Sequence, residues 1–363
     1  MSRLCHLLAA LAAAGCAVEE SAAAPERPVK RDPEPAAAQA PAAPGRFTII
    51  AVGDVMLGGH AESLIRKNGL DYPFSKVKPG IESHAIAFGN LEAPISARGK
   101  EKPWKRFSLR VRPSEGRAIA RSGIDAVTLA NNHMMDFGAA ALSDTVKHLD
   151  EWGIVHAGAG TDIGQARAPA RFDVEGTEVD ILAYCAWSPS PMHAGEDRPG
   201  VAPLDREVIL EDVRAHAGRG AVVIVSLHWG VQHTDRAAAG QVELAREIVE
   251  AGASAVIGHH PHRPQEIEVH AGRPIAYSLG NFVFGHMNSL YRDNIALVLE
   301  FEGGRLVLAS ILPVAGHNGA TRFQPWFLTG GDASEVIDHV SRLSRRFGTA
   351  ISGQGDIDLR DGR

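Results

Sequence analysis

The chain has 363 residues, of which 45% are hydrophobic and 22% are charged, and it carries a formal net charge of -6 at pH 7. This composition is typical of a soluble globular protein with a sizeable core. The acidic balance argues against nucleic acid and against a bare anionic membrane as the main partner, because both require a basic surface.

The first residues are typical of an export signal. Arg3 precedes the apolar run 7–14, and the small residues Gly15 and Cys16 follow, which is the order of a signal peptide. The run is too short to span a bilayer. Residues 13–16 also resemble a bacterial lipobox, in which Cys16 would be acylated; plain export is the alternative. We therefore predict a signal peptide over residues 1–16 and an exported protein of the cell envelope, which would contact the membrane only through a lipid anchor if Cys16 is acylated.

Composition divides the rest of the chain into three parts. Residues 17–45 are mainly Ala, Pro and charged residues, which predicts a disordered tether. A folded domain is predicted over residues 46–350, and a Gly- and Asp-rich flexible tail over residues 351–363. Cys185 stands alone in an apolar segment and is predicted to be a small buried hydrophobic residue.

Within the folded part, apolar strands alternate with helices and hairpins. Helices are predicted over 113–121, 139–152, 206–217 and 235–251. Hairpins are predicted over 172–187, 267–284 and 295–314, with turns at 176, 271–273 and 303–304. Because hairpins interrupt the alternation of strands and helices, mixed sheets are more probable than an all-parallel sheet. Ligands of such α/β sheets bind beyond the carboxyl ends of the strands.

Five apolar strands run directly into polar residues of the kinds that bind metal. These residues are Asp54, then Asn90 and Glu92, then Asn131, Asn132 and His133, then His228, and finally His259, His260 and His262. Carboxylates, amide oxygens and neutral imidazoles are all metal ligands in proteins. One shared metal site is therefore predicted. The alternative for each residue is structural, as a loop cap, a helix cap or a hydrogen-bonded buried histidine.

Individual roles follow from position and chemistry. His260 and His262 alternate around Pro261 and are predicted to point the same way, whereas His259 points the opposite way and would support the ligands. His133 is the candidate general acid or base, because the unperturbed pKa of histidine lies near working pH. Asn281 would contact the substrate or form a turn. Met56 is predicted to pack in the core, because a thioether is a poor ligand for a hard cation.

Six short motifs, in this order, resemble the CapA-type poly-γ-glutamate and capsule synthesis proteins. They are Gly-Asp-Val-Met at 53–56, Asn-Leu-Glu at 90–92, Asn-Asn-His at 131–133, His-Trp-Gly at 228–230, Gly-His-His-Pro-His at 258–262 and Ser-Leu-Gly-Asn-Phe at 278–282. That family is similar to the calcineurin-like metallophosphoesterases. The resemblance implies an α/β fold, a four-layer αββα sandwich with mixed sheets, and a metal centre at the strand ends.

The resemblance also implies which residues serve the centre. Ligands of one or two divalent ions (Mn, Fe or Zn) would be Asp54, Glu92, Asn132, His228, His260 and His262, with Asn90, Asn131, His259 and Asn281 as substrate or supporting residues. Met56 stands where metallophosphoesterases have a histidine, and Glu92 lies near the place of a bridging aspartate. One firmly held ion and a second weak ion are therefore expected. His133 would protonate the leaving group.

The function implied is metal-dependent synthesis or processing of a capsule polymer at the cell surface. Poly-γ-glutamate would be the anionic polymer substrate, and membrane capsule-synthesis subunits would be partners. The electrophile stays open between an amide carbonyl and a phosphoryl group. A genuine phosphoesterase and a non-catalytic polymer-binding assembly factor are the alternatives. Basic residues within 100–112 would either contact the polymer or form a solvated loop.

Overall fold

The computed structural model describes residues 45–103, 105–186 and 190–360. The predicted signal peptide, the acylation of Cys16 and the tether before residue 45 lie outside these residues. So do the end of the first hairpin at 187 and the last three residues of the tail. Across the described ranges, no helix combines the length and apolar character needed to cross a membrane.

The strands position the residues of the site. Their bounds are β1 Arg46–Met56, β2 Ile86–Leu91, β3 Ala126–Thr128, β4 Val155–Ala157, β5 Ala159–Gly160, β6 Ala170–Val174, β7 Thr177–Cys185, β8 Gly200–Val201, β9 Val222–His228, β10 Ala255–His259, β11 Ile267–His270, β12 Arg273–Ala276, β13 Asn281–Phe284, β14 Asn294–Glu302, β15 Arg305–Val314 and β16 Asp356–Ile357.

The α-helices lie between and after these strands. They are α1 His60–Asn68, α2 Lys78–Ile81, α3 Pro113–Gly116, α4 Ala139–Trp152, α5 Ile163–Arg167, α6 Arg206–Ala217, α7 Ala239–Glu250, α8 Asn318–Thr321 and α9 Gly330–Ser344. Short 3-10 helices cover Arg117–Arg121, Ser190–Met192 and Arg345–Phe347.

Two predicted helices are confirmed at both ends, α4 over 139–152 and α6 over 206–217. The helix predicted over 113–121 is divided, because only α3 is α-helical and a 3-10 helix continues from it. The helix predicted from residue 235 begins four residues later. There the Gln241 side chain accepts a hydrogen bond from the backbone N–H of Ala238 at 3.0 Å, which satisfies a donor at the helix start.

Two of the three predicted hairpins are confirmed, β6–β7 and β14–β15. In the third, β11 and β12 pair as expected, but residues 281–284 do not extend that hairpin. They form β13, which pairs in parallel with β1 in the other sheet. Gly280 allows this change of sheet, since its φ of 78° lies in the left-handed region that favours glycine.

Two mixed sheets make up the body of the protein. Sheet 1 has the order β16-β15-β14-β1-β2-β3-β4, with β13 also paired to β1. Sheet 2 has the order β11-β12-β10-β9-β7-β6. Both sheets combine parallel and antiparallel pairs, for example β1 with β2 and β1 with β14. The prediction of mixed sheets is confirmed.

The side chains of β9 show how the layers are stacked. Val222 and Ile224 belong to the core shared with sheet 1, whereas Val223 and Val225 pack in a second core with α6 and α7. Alternate residues of a strand face opposite sides, so sheet 2 lies between sheet 1 and these helices. Helices α1 and α4 contribute to the core of sheet 1. The predicted four-layer αββα sandwich is confirmed.

The segment predicted as a flexible tail instead pairs with sheet 1 over part of its length. Ile357 in β16 lies opposite Ala309 in β15, and Ile351 forms a bridge with Ile357. The Gly- and Asp-rich composition conceals these two isoleucines, and Ile357 is buried. Met56 and Cys185 are buried among apolar side chains, as predicted.

Candidate metal centre

The centre forms at the carboxyl ends of β1 and β2 in sheet 1 and of β9 and β10 in sheet 2. Asp54 at the end of β1 lies in register with Asn90 of β2 and with Asn281 of β13. In sheet 2, His228 of β9 lies in register with His259 of β10. Residues that are far apart in the chain therefore meet between the two sheets.

The Asp54 carboxylate contacts side chains from both sheets. Its carboxylate is fully buried and lies 3.1 Å from Nδ1 of His259, 3.2 Å from Nδ1 of His262 and 2.9 Å from Nδ2 of Asn90. A buried carboxylate must be compensated by donors or by a cation. The predicted convergence of Asp54 with the histidine cluster is present.

Glu92 is fully buried too, but one of its carboxylate oxygens lacks a hydrogen-bond donor. Its Oε1 atom lies 3.6 Å from Nε2 of His262, and 4.0 Å from Nε2 of both His228 and His133. Among the described residues, Oε1 has no hydrogen-bond partner. Glu92 therefore has a carboxylate oxygen directed at three imidazoles without being bonded to any.

The ligand-type atoms form two overlapping groups. One contains Glu92, His228 and His260, and the other contains Asp54, Glu92 and His262; within each group the atoms lie within 4.8 Å of one another. Glu92 belongs to both. This arrangement suits one cation or two neighbouring cations that share a carboxylate.

Burial sets the protonation states of these groups. Burial raises the pKa of Glu92 well above its usual range, and the negative charge of Asp54 adds to that effect. For Asp54 burial acts in the same direction, but hydrogen bonds from His259 and His262 and their charges outweigh it and hold its pKa well below the usual range. Burial lowers the pKa of His228, and it lowers the pKa of His260 to about 3. Both imidazoles are therefore neutral, which is the form that binds metal.

The residues present fit a divalent cation. The fully buried set contains two carboxylates, and the carboxylate oxygen Oε1 of Glu92 lacks a partner. The imidazole nitrogen Nε2 of His259 is also buried without a hydrogen bond to any described residue. A cation would offset the mutual repulsion of Asp54 and Glu92 and would be bound by the unpartnered oxygen Oε1 of Glu92.

His133 lies beside the centre, and Asp136 holds its imidazole ring in place. Its Nδ1 atom lies 2.7 Å from Oδ2 of Asp136, and Lys105 contacts the other oxygen of the same carboxylate. An Nδ1–H that donates to Asp136 leaves Nε2 unprotonated and facing Glu92. Burial lowers the pKa of His133 despite the neighbouring Asp136.

The asparagines form a hydrogen-bonded scaffold around these groups. Asn131 donates to Oδ1 of Asn90 at 3.0 Å and accepts from the backbone N–H of His133 at 3.1 Å. Oδ1 of Asn132 lies 2.9 Å from Nε2 of His228, and Oδ1 of Asn281 lies 2.9 Å from Nδ1 of His262. The side-chain oxygen of Asn132 thus lies beside Nε2 of His228, which belongs to the group formed by Glu92, His228 and His260. Asn131 positions His133.

Strand alternation does not continue through the histidine cluster. His260 and His262 have φ values of 96° and 56°, so the chain leaves the extended conformation on both sides of Pro261. As a result, His259 and His262 both contact Asp54. The prediction that His259 points away from the other two is wrong.

Sequence reasoning missed several neighbours of the centre. Asp136 and Lys105 support His133, and the basic run around Lys105 was the one signal that could have indicated them. The rings of His233 and Tyr291 lie 6.1 Å and 6.0 Å from the ring of His262. Neither has a sequence pattern that marks it. Both come from loops whose course follows from the tertiary fold.

The fold and the centre define a two-sheet αββα protein with a buried cluster of histidines and carboxylates at the strand ends. The model of the bacterial capsule synthesis protein family PGA_cap matches residues 48–286. The chain therefore belongs to this family, and the predicted resemblance is confirmed.

Relatives with similar sequences agree with this assignment. The chain is 28% identical to the capsule biosynthesis protein CapA of Bacillus anthracis, covering 76% of this chain and 69% of the relative. It is 30% identical to the PGA biosynthesis protein CapA of Bacillus subtilis, covering 73% and 70%. It is 31% identical to a "probable polyglutamine synthesis accessory protein" of Mycobacterium tuberculosis, covering 78% and 80%.

Solved structures with related architecture include the NAD nucleotidase of Haemophilus influenzae, with a TM-score of 0.46 and 11% identity over 81% of this chain and 62% of that one. The sulfate thiohydrolase SoxB of Thermus thermophilus has a TM-score of 0.42 and 14% identity, over 73% and 48%.

Proposed function

We propose that this protein is an exported, metal-dependent hydrolase that takes part in capsule polymer synthesis, with poly-γ-glutamate as its substrate. The main support is the convergence of two buried carboxylates and four buried imidazoles at the ends of strands from both sheets. The relatives are named for capsule, PGA and polyglutamine synthesis, which supports an anionic polymer of glutamate.

In this proposal the two overlapping groups hold the metal. Glu92, His228 and His260 would bind one ion, with Asn132 beside them, and Asp54, Glu92 and His262 would bind a second ion. Mn, Fe or Zn is suited to this mixture of oxygen and nitrogen ligands. A divalent cation here supplies Lewis acidity, which polarises a substrate carbonyl or phosphoryl group and makes water more acidic.

The protein's own residues supply orientation and proton transfer. Asp136 holds the His133 ring through Nδ1, so the unprotonated Nε2 is the atom that would accept a proton from the attacking water and then return it to the leaving group near Glu92. Asn90 fixes the Asp54 carboxylate. Asn281 has a buried Nδ2 without a partner among the described residues, and this amide would donate a hydrogen bond to the substrate.

The direct test combines metal analysis with product detection. Purified protein should contain a stoichiometric transition metal and should release products from poly-γ-glutamate. The double variant His260→Ala, His262→Ala should lose both properties. A matched control is His270→Ala, which removes an imidazole at the end of β11 that pairs with Glu250. The hydrolase proposal fails if the wild type contains no stoichiometric metal and the double variant processes the polymer normally.

An accessory role without catalysis is the second candidate, because the Mycobacterium tuberculosis relative is named an accessory protein. Such a protein would bind γ-glutamate oligomers without consuming them, and His133→Ala would leave it functional. Metal-dependent turnover of p-nitrophenyl phosphate would instead indicate a phosphoesterase.

Export and contact with membrane capsule-synthesis subunits are part of the proposal. The support for export is the amino-terminal sequence, Arg3 through Cys16. Cell fractionation tests export, and a Cys16→Ser variant tests the anchor. Loss of the protein from the membrane fraction in that variant is the expected result, and an unchanged membrane fraction would contradict acylation of Cys16.

A further inference from the structure

The segment between β2 and α3 concentrates positive charge in an acidic protein. Residues 98–103 and 105–112, here called the basic loop, contain seven Lys or Arg residues and one acidic residue, Glu101, whereas the whole chain has a net charge of -6. A local excess of this size is the electrostatic feature that an anionic polymer requires.

The basic loop is attached directly to the metal centre. Asp136, which holds His133, also accepts a hydrogen bond from the backbone N–H of Leu109 at 2.6 Å. Lys105 donates to the same carboxylate and to the backbone oxygen of Asn132. The backbone N–H of Lys102 donates to the backbone oxygen of Asp136 at 3.0 Å. The carboxylate and the backbone oxygen of Asp136 thus fix the loop against the His133 side of the centre.

Part of the loop's charge is neutralised by ion pairs with carboxylates of the protein. With carboxylates of the described residues, the loop forms three ion pairs: Arg98 with Asp144, Lys105 with Asp136, and Arg112 with Glu62. The remaining cations are Lys100, Lys102, Arg106 and Arg110, and among the described residues no carboxylate lies within 4.0 Å of them. Lys100, Arg106 and Arg110 are exposed, and Lys102 is half-buried. Four charges therefore remain available for a ligand.

Two of these cations are supported by aromatic rings. The guanidinium of Arg110 lies 4.0 Å from the ring centre of Phe137, and that of Arg106 lies 5.2 Å from the ring centre of Phe107. Phe107 is 65% exposed, which is unusual for a large apolar side chain. Stacking restricts a guanidinium and leaves its N–H edge open to carboxylates.

We infer that the basic loop is the docking surface for a linear polycarboxylate, and that it leads the polymer to the metal centre. The inference rests on the proposed function for the identity of the reacting polymer, but the binding surface is a separate property of the loop. Several exposed cations acting together bind a chain of repeated carboxylates better than a single small anion, because each contact alone is weak.

The test measures binding of fluorescently labelled poly-γ-glutamate oligomers to the full chain by anisotropy at low and moderate ionic strength. The loop variant replaces the available cations: Lys100→Gln, Lys102→Gln, Arg106→Gln and Arg110→Gln. The control variant removes four exposed arginines that form no ion pair with a described residue. They lie on α6, β15, α9 and the following 3-10 helix: Arg214→Gln, Arg305→Gln, Arg342→Gln and Arg345→Gln. Both variants lose four positive charges.

We expect the loop variant to weaken binding about tenfold or more at low salt, and the control to change it less than about twofold. Equal weakening in both variants would show that net charge alone attracts the polymer and would overturn the inference. Equal affinity for polyphosphate of matched charge would also overturn it, because the loop would then be a general anion surface.

A Glu92→Gln variant separates this inference from the proposed function. It removes the carboxylate shared by both metal groups but leaves the basic loop intact. If the wild type does not process the polymer yet the loop variant still loses binding, the docking surface stands and the hydrolase proposal fails. If Glu92→Gln abolishes binding while the loop variant binds normally, the polymer is held by the centre and the docking surface is refuted.

Discussion

Nδ1 of His259 lies 3.1 Å from Oδ1 of Asp54, although the two residues are 205 positions apart in the chain. The contact joins the end of β10 in sheet 2 to the end of β1 in sheet 1. His259 therefore orients a carboxylate that would bind metal, while its own Nε2 has no hydrogen-bond partner among the described residues.

Replacement of His259 should lower the metal affinity while the fold is retained. In His259→Leu, Asp54 loses one of the donors that hold its carboxylate, and a lost supporting contact of this kind lowers metal affinity about 10- to 100-fold. Titration with Mn²⁺ or Zn²⁺ against a competing chelator measures the effect. His270→Leu serves as the control and should bind metal like the wild type. Unchanged affinity in His259→Leu would contradict a role for this contact.

Glu92→Gln should have opposite effects on the metal-free and the metal-bound protein. Without metal, Glu92 is a buried carboxylate beside Asp54, and burial raises its pKa well above the usual range. A neutral amide of the same shape removes that cost, so the free energy of unfolding in EDTA should rise by roughly 1 kcal/mol. The stabilisation that added metal gives the wild type should be largely lost.

Urea unfolding with EDTA and with Mn²⁺ measures both effects. The matched control is Glu115→Gln, since Glu115 is also buried but lies 2.9 Å from the Arg66 guanidinium. That variant should be less stable than the wild type in both conditions. A metal-free Glu92→Gln protein that is equally destabilised would show that Glu92 is compensated in some other way.

The strand ends were the most predictable part of the molecule. Asp54, Glu92 and His228 each follow an apolar run, and parallel strands bring their carboxyl ends to one edge. Hence their proximity could be inferred without knowing the order of the strands. The ends of α4 and α6 were equally predictable from the sequence, because apolar spacing and the flanking Gly153 and Asp205 mark them.

Features that depend on backbone turns or on tertiary contacts could not be predicted from the sequence. The orientation of His259 was predicted wrongly because the left-handed conformations of His260 and His262 interrupt the strand pattern. The packing of Ile357 against sheet 1 was missed because its neighbours in sequence are polar. The support of His133 by Lys105 depends on how a long loop folds back, which local spacing does not specify.

Gly258→Ala should be strongly destabilising. A Cβ atom at this position would lie 1.8 Å from the backbone oxygen of Tyr277 and 2.7 Å from Nε1 of Trp229. Both neighbours are fixed in a buried core, and overpacking of this kind costs about 3 kcal/mol of unfolding free energy. Urea unfolding measures it. Gly353→Ala is the matched control, because no atom lies within 4 Å of its added Cβ, and it should differ from the wild type by less than about 0.5 kcal/mol.

His84 should make the fold sensitive to mild acid. Burial lowers the pKa of His84 to about 4 from an ordinary value of 6.5, and its Nδ1 lies 2.8 Å from Oγ1 of Thr48. Between those two pH values the unfolded chain binds a proton that the folded protein does not, so stability falls as pH decreases through this window. After allowance for solvent screening, the contribution is roughly 1 to 2 kcal/mol. In His84→Asn the loss of unfolding free energy between pH 7 and pH 4.5 should be smaller than in the wild type by that amount. If urea unfolding shows the same loss in both proteins, the buried His84 imidazole is not the group responsible.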